Sequence, residues 1–106
     1  MTISVTAIAS RDAAAIGRAA MHLKAAAEAH RLGVLLALEA GERNVGELCG
    51  DLGGLPQAHL SPHLATLRHS GLVESGRRGQ RVYYNLAPRG LALLGVVRVL
   101  MERSGS

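Results

Sequence analysis

Residues 57–86, QAHLSPHLATLRHSGLVESGRRGQRVYYNL, change from a helical to a strand-like hydrophobic pattern at Gly71. The leucines before this glycine recur three or four positions apart, which predicts one buried helix face: Leu60, Leu64 and Leu67. After Gly71 the period is two over residues 72–75 and 81–86, which predicts a pair of strands. The glycine-bracketed residues 76–80, GRRGQ, predict the tip of a hairpin with adjacent arginines.

Two helices are predicted farther upstream. The first is expected from Ser10 or Asp12 to about Glu28, because small apolar residues recur there at helical spacing: Ile16, Ala20, Leu23 and Ala27. The second is expected over about residues 29–40, and Gly41 is a typical residue just past its end.

A short third helix is predicted between these helices and the quoted stretch. Asn44 is a favourable N-cap, and Glu47 three positions later completes an asparagine form of the capping box. Gly53 and Gly54 then end the helix. Two short helices joined by a glycine-containing turn are typical of a helix-turn-helix, and the hairpin beside it is typical of a wing.

The last predicted helix runs from Pro88 to about Arg103 and is apolar nearly all round. Pro88 suits the first helical position. The apolar residues are Leu91, Leu93, Leu94, Val96, Val97, Val99, Leu100 and Met101. Such a helix must be covered on both sides, so we expect a second copy of the chain to pack against it and the first helix across a two-fold axis.

Charge is distributed unevenly along the chain. Residues 1–53 carry five basic and six acidic groups, and residues 54–106 carry seven and two, so net charges of −1 and +5 add to the overall +4. This asymmetry indicates a polyanion-binding face in the second half. The outward face of the fourth helix is small and polar, which suits close approach to base edges in a major groove.

The pattern predicts a mainly α fold with a small β-hairpin. It is a winged helix-turn-helix with the element order ααααββα, and a homodimer through the first and last helices. At 106 residues the chain is short enough for one domain. We expect residues 1–9 to be a mobile N-terminal arm and residues 10–106 to form the DNA-binding and dimerisation domain.

The composition, and the lack of a recognisable targeting signal, lead us to expect a cytoplasmic protein. The single cysteine, Cys49, excludes an internal disulfide, the first residues lack a basic region typical of a secretory signal, and no apolar run is long enough to span a membrane. No motif predicts a cofactor. No constellation of nucleophile, base and acid is present either, so we do not expect an enzyme.

Over roughly residues 28–87 the chain resembles the ArsR/SmtB family of dimeric winged-helix repressors, with several motif matches in register. The matching residues in the helix and after it are Ser61-Pro62-His63-Leu64, Leu67 and Gly71-Leu72-Val73. In the wing they are Gly79, Tyr83-Tyr84 and Leu86. The resemblance implies an operator-binding homodimer, in most relatives released from double-stranded DNA by an inducer.

The resemblance also implies a set of DNA-binding residues. The base-reading positions fall on Gln57, Ala58, His59, Ser61 and Pro62, and we add His63 and Arg68 from the same helix. Arg77, Arg78 and Arg81 are expected to hold the DNA backbone or the minor groove.

Pro62 departs from the family pattern, because proline inside a helix removes a hydrogen bond and clashes with the preceding turn. Either the helix tolerates a kink near its start, or Ser61 caps a helix that begins at Pro62. Both alternatives predict an irregularity between residues 56 and 62.

The family's metal sites are not intact in this sequence. The positions of the thiolate cluster are Asn44, Gly46 and Cys49, and the last helix holds no Asp or His. His22, Glu28 and His30, with Cys49, are weak candidates for a site for nickel or zinc. We therefore predict no metal site with an established motif. A metal-responsive repressor and a winged-helix adaptor regulated by a protein partner remain alternatives to the operator-binding regulator.

Overall fold

A computed structural model describes residues 12–103, so the expected arm at residues 1–9 lies outside the described part of the chain. Within that part, five helices and three strands follow one another. They are α1 (Ala13–Ala26), α2 (Ala29–Leu38), β1 (Arg43–Asn44), α3 (Val45–Asp51), α4 (Gln57–His69), β2 (Val73–Arg78), β3 (Arg81–Leu86) and α5 (Pro88–Met101).

The break between α1 and α2 comes two residues earlier than the sequence predicted. Glu28 has an extended backbone, with φ −160° and ψ 138°, and its side chain accepts a hydrogen bond from the Arg31 amide as the N-cap of α2. Because this residue caps the next helix, α1 ends at Ala26. Asp12 occupies the N-cap position of α1 without a side-chain capping bond, and Ser10 lies outside the described residues.

The predicted capping box of α3 is confirmed. The Asn44 side chain accepts a hydrogen bond from the Glu47 amide at 2.8 Å, and the Glu47 carboxylate accepts one from the Asn44 amide at 2.9 Å. Both orphan amides at this helix end are therefore satisfied locally.

The sheet has three strands in the order β1-β3-β2, so the predicted element order is corrected to ααβααββα. Strand β1 pairs Arg43 with Tyr84 and Asn44 with Tyr83. Two residues are too few for an alternating pattern, and the pairing partners lie about forty positions away in sequence. Neither feature leaves a local signal in the chain.

The wing, residues 73–86, is longer and its turn tighter than predicted. Strand β2 continues to Arg78, so Arg77 and Arg78 lie on the strand and not in a five-residue tip. The connection is Gly79-Gln80, and Gly79 has φ +62°. Glycine at the first position of a two-residue hairpin turn permits this left-handed backbone.

The core is aliphatic and continuous from the end of α1, where Ala25 and Ala26 are buried, to α5. Its fully buried large side chains are Val34, Leu35, Leu48, Leu60, Leu64, Leu67, Leu72, Val73 and Leu94. Helix α4 packs against α1, α2, α3 and β2, which holds its inner face in the core. Cys49 is half-buried at the edge of this core.

Helix α5 begins with Pro88 at its first turn, as predicted, and ends at Met101, two residues before the predicted end. Gly90 allows its close approach to the backbone just before β2, because an added Cβ would lie 2.1 Å from the Leu72 carbonyl oxygen. No helix between residues 12 and 103 is both long and apolar enough to cross a bilayer.

Candidate nucleic-acid interface

The start of α4 presents one buried and one exposed face. Leu60, Leu64 and Leu67 are at most 1% exposed and anchor the helix. The five residues that the resemblance assigned to base reading are all exposed on the other side: Gln57, Ala58, His59, Ser61 and Pro62. This surface therefore offers small and polar side chains held on a rigid, well-anchored helix.

The helix passes through Pro62, so the predicted start at Pro62 with a Ser61 cap is wrong. Helix α4 begins at Gln57, after an extended Pro56, and is assigned as continuous helix to His69. The Ser61 hydroxyl donates to the Gln57 carbonyl at 2.9 Å, as a residue inside a helix does. Pro62 removes only the bond to the carbonyl of Ala58. Since both residues are exposed, water can take the place of that donor.

A groove of about 370 Å³ lies between the start of α4, the start of α3 and the wing. Its lining includes Asn44, Gln57, Gln80 and Arg81. No side chain caps the first turn of α4. The His59 amide donates to the Pro56 carbonyl at 2.9 Å, so the positive end of the helix dipole and the amides before His59 face the groove side of the helix start. The structure thus places Gln57 and Arg81, which are far apart in sequence, beside one groove.

The three wing arginines do not share one face. Arg78 is paired with Arg81 across the hairpin, whereas Arg77 is paired with Val82. Because side chains alternate along a strand, Arg77 lies on the opposite face from the other two.

Only one of these arginines is held by other side chains. The Arg78 guanidinium forms an ion pair with Glu42 and lies 3.9 Å from the centre of the Tyr83 ring. Over the stretch from Asp12 to Arg103, Arg77 and Arg81 form no ion pair. Their charges are therefore available to a polyanion.

The remaining two predicted site residues lie elsewhere on α4. Arg68 is in the last turn, about 16 Å along the helix axis from Gln57, and its Nη2 lies 3.4 Å from the His69 ring. His63 is half-buried against α2, where its Nδ1 accepts a hydrogen bond from the Arg31 guanidinium at 3.1 Å. The structure brings neither residue to the groove at the start of the helix.

The weak metal-ligand candidates are regrouped by the fold. Between residues 12 and 103, the cluster with metal-ligating geometry is Glu28, His30 and His63. His22 lies apart on α1, where its Nδ1 is 2.7 Å from the Arg18 carbonyl oxygen. Sequence reasoning missed the part that His63 plays here, because that residue lies on α4, more than thirty positions from the other two.

The cluster changes the pKa of the Glu28 carboxyl group. Partial burial alone would raise its pKa. The hydrogen bonds from the Arg31 amide and from His30, with the electrostatic effect of the nearby His63 and His30 rings, outweigh burial and hold the pKa below its ordinary value. Glu28 is therefore a carboxylate at neutral pH, able to accept hydrogen bonds or to bind a cation.

Comparison with known proteins supports the same architecture. The sequence profile described as "Bacterial regulatory protein, arsR family" matches residues 29–75. The chain is 44% identical over 70 residues to the transcriptional activator HlyU of Vibrio cholerae, which covers 66% of this chain and 64% of that protein. It is also 44% identical over 66 residues to the arsenical resistance operon repressor of Escherichia coli, covering 61% of this chain and 56% of that one. The match thus spans less than two thirds of either relative.

Solved structures are similar over most of the chain. The structure of Vibrio cholerae HlyU superposes with a TM-score of 0.74 at 38% identity, over 80% of this chain and 92% of that one. A homodimeric winged helix-turn-helix DNA-binding domain from Mycobacterium bovis, a possible ArsR-family transcriptional regulator, superposes with a TM-score of 0.74 at 35% identity. That alignment covers 87% of this chain and 85% of the other. The predicted winged helix-turn-helix fold is confirmed.

Proposed function

The chain belongs to the ArsR family of bacterial transcriptional regulators, and we propose that it binds an inverted-repeat operator in double-stranded DNA as a homodimer. The exposed face at the start of α4, beside Arg81 and with no acidic side chain in residues 52–73, is the observation that carries this proposal. A negative surface would repel phosphates, whereas this one combines polar side chains with an unpaired cation.

Base reading is assigned to the first turns of α4 in a major groove. Gln57 can form two hydrogen bonds with adenine, and the methyl and ring carbons of Ala58 and Pro62 can contact a thymine methyl. The Ser61 hydroxyl already donates to a backbone carbonyl, so it is suited to accept a hydrogen bond from a base or water. His59 lies on the same exposed surface.

Phosphate binding is assigned to the wing. Arg81 lines the groove beside Gln57, and Arg77 projects from the opposite face of the hairpin, so the two reach different parts of the DNA backbone. Arg78 forms an ion pair with Glu42, so it contributes less net positive charge to this surface. Arg68 is a candidate for a phosphate beyond the far end of α4. His63, held by Arg31, is better suited to fixing that helix than to touching DNA.

The homodimer is assigned to α1 and α5. These helices carry the large apolar side chains that remain more than half exposed: Met21, Leu23, Leu91, Val96, Val99, Leu100 and Met101. An apolar groove of about 400 Å³ between the two helices is lined by Leu23, Val96 and Leu100. Exposed apolar surface of this extent is typical of an interface, and a homodimeric relative with the same fold supports a second copy as its occupant.

Fluorescence anisotropy tests the proposal directly. Metal-free protein is titrated into the duplex upstream of its own gene and into a scrambled duplex over a series of salt concentrations. We expect selective binding to the first duplex with a steep salt dependence, because arginines that bind phosphates displace counterions from the DNA. Equal and weak binding to both duplexes contradicts the proposal.

Two matched variants locate the interface. Arg81→Ala removes an unpaired cation at the groove, whereas Arg98→Ala removes one that is paired with Glu39 between α5 and α2. We expect Arg81→Ala to weaken binding to all duplexes and to reduce the salt slope by about one, because one phosphate is no longer neutralised. Arg98→Ala should leave both quantities close to the parent values. Equal effects of the two variants would show that Arg81 of the wing does not contact the DNA.

A further inference from the structure

Three side chains that can bind metals meet at the junction of α2 and α4. The His30 Nδ1 lies 3.0 Å from one Glu28 oxygen, and the His63 Nδ1 lies 3.8 Å from the other. The two imidazole rings are stacked with centroids 5.3 Å apart, and one ligand atom from each of the three residues lies within 4.8 Å of the others. The fold thus assembles two nitrogens and a carboxylate from two separate helices.

We propose that Glu28, His30 and His63 form a binding site for one Zn²⁺, or a first-row dication of similar hardness, per chain. Two imidazoles and one carboxylate suit zinc, nickel, cobalt and copper, and three protein ligands leave a position for water. Ligand atoms around a tetrahedral zinc lie about 3.3 Å apart, as follows from bonds of about 2.0–2.1 Å. Shortening separations of at most 4.8 Å to this value takes side-chain movements of up to about 1.5 Å in total.

Access and charge also favour a cation at this place. The side chains of His30, Glu28 and His63 are 47%, 31% and 23% exposed, so an ion can enter from solvent. The Glu28 carboxylate is ionised at neutral pH, and it has enough lone pairs to keep the capping bond from the Arg31 amide while it binds a metal.

Arg31 competes with the ion for one ligand. Its Nη1 donates to the His63 Nδ1 at 3.1 Å, while its Nε donates to the Ala25 carbonyl at 2.6 Å. The first hydrogen bond directs the Nδ1 lone pair of His63 toward the Arg31 guanidinium, while the same nitrogen lies 3.8 Å from a Glu28 oxygen. An ion bound through Nδ1 replaces that hydrogen bond. The bond to Ala25 holds the guanidinium nearby, and its positive charge lowers the affinity for a dication.

The position of the site gives it a structural consequence. His63 directly follows Pro62 on α4, while Glu28 caps α2 and His30 lies in its first turn. An ion bound by all three residues would fix α4 relative to α2. Any effect on DNA affinity rests on the proposed function, whereas binding of the ion does not.

The test is a metal titration of the full chain without DNA. Zinc affinity is measured by competition with a chromophoric chelator, and cobalt is used as a spectroscopic probe of nitrogen and oxygen ligation. The wild type should bind one ion per chain. His30→Gln changes an exposed ligand, and His22→Gln is its control outside the cluster. Because even partners of metal ligands contribute about 10–100-fold to affinity, we expect His30→Gln to weaken binding at least about tenfold and His22→Gln to leave it unchanged.

Two outcomes overturn the site. One is the absence of stoichiometric zinc binding by folded wild-type protein. The other is binding that His30→Gln and Glu28→Gln, which keeps a capping acceptor, both leave intact. Circular dichroism of each variant establishes that it is folded. DNA binding by chelator-treated protein is measured separately, so failure of the metal site and failure of the operator proposal are distinguishable.

Discussion

Pro62 leaves the carbonyl of Ala58 without the hydrogen bond that residue 62 would otherwise donate. The helix nevertheless continues from Gln57 to His69, because three buried leucines anchor it on both sides of the proline. Tertiary packing thus outweighs a local penalty of about 3 kcal/mol. The exposed position of the affected carbonyl keeps that penalty from including a buried, unsatisfied group.

Replacing this proline should stabilise the protein. We expect Pro62→Ala to increase the free energy of unfolding by up to about 3 kcal/mol, because it restores a hydrogen bond and removes a clash. Chemical denaturation at a fixed chain concentration measures the change, since the stability of a dimer depends on concentration.

Pro88 supplies the matched control. It lies at the first turn of α5, where its missing amide costs no intrahelical bond, so Pro88→Ala should be neutral or slightly destabilising. A stability gain from Pro88→Ala as large as that from Pro62→Ala would show that position within the helix is not the cause.

At the scale of elements, α3 is joined to its surroundings at both ends. Asn44 caps the helix and also pairs with Tyr83 in the sheet. Arg43, in the same short strand, makes two hydrogen bonds to Asp51 at the end of α3, at 2.8 and 2.9 Å. The short helix is therefore held by its cap and by the strand that precedes it.

Removal of the cap has a predictable cost. We expect Asn44→Ala to lower the free energy of unfolding by about 1 kcal/mol, because it leaves the Glu47 amide without its acceptor. Asn44→Asp keeps an acceptor at the same place and should retain most of the stability. Thermal or urea denaturation compares the two, and equal losses of stability would mean that the cap does not stabilise α3.

Local sequence patterns predicted most of the helices and strands, but not all of them. The five helices, the capping box and the strand Arg81–Leu86 were predictable, because each depends on neighbours within a few residues. The extra strand β1 was not, since it exists only through its pairing with β3. The wing arginines were recognised as exposed, but their division between two faces required the hairpin register.

At the scale of the whole molecule, the two terminal helices are incompletely covered. Leu100 is 78% exposed in the single chain and lines the apolar groove between α1 and α5. We expect Leu100→Glu to convert the dimer to a monomer, because it places a charge in an interface whose core is apolar. Analytical ultracentrifugation measures the change, and DNA affinity should fall with it.

Ser75→Glu provides the control for this substitution. It adds the same charge at an exposed position on β2, away from the two terminal helices, and should leave the oligomeric state unchanged. Since the Leu100 side chain is mostly exposed and packs little against the core of its own chain, the Leu100→Glu variant should remain folded. A dimer that survives this substitution would contradict the assigned interface.

The number and kind of helices, the hairpin, the family and the exposed face of α4 all follow from local sequence patterns. Hydrophobic period, caps and turns act between neighbouring residues, so they can be read along the chain. Three other features emerge only in the folded chain: the strand β1, the groove lined by both Gln57 and Arg81, and the cluster of Glu28, His30 and His63. Each of these depends on residues distant in sequence, which only core packing and strand pairing bring together.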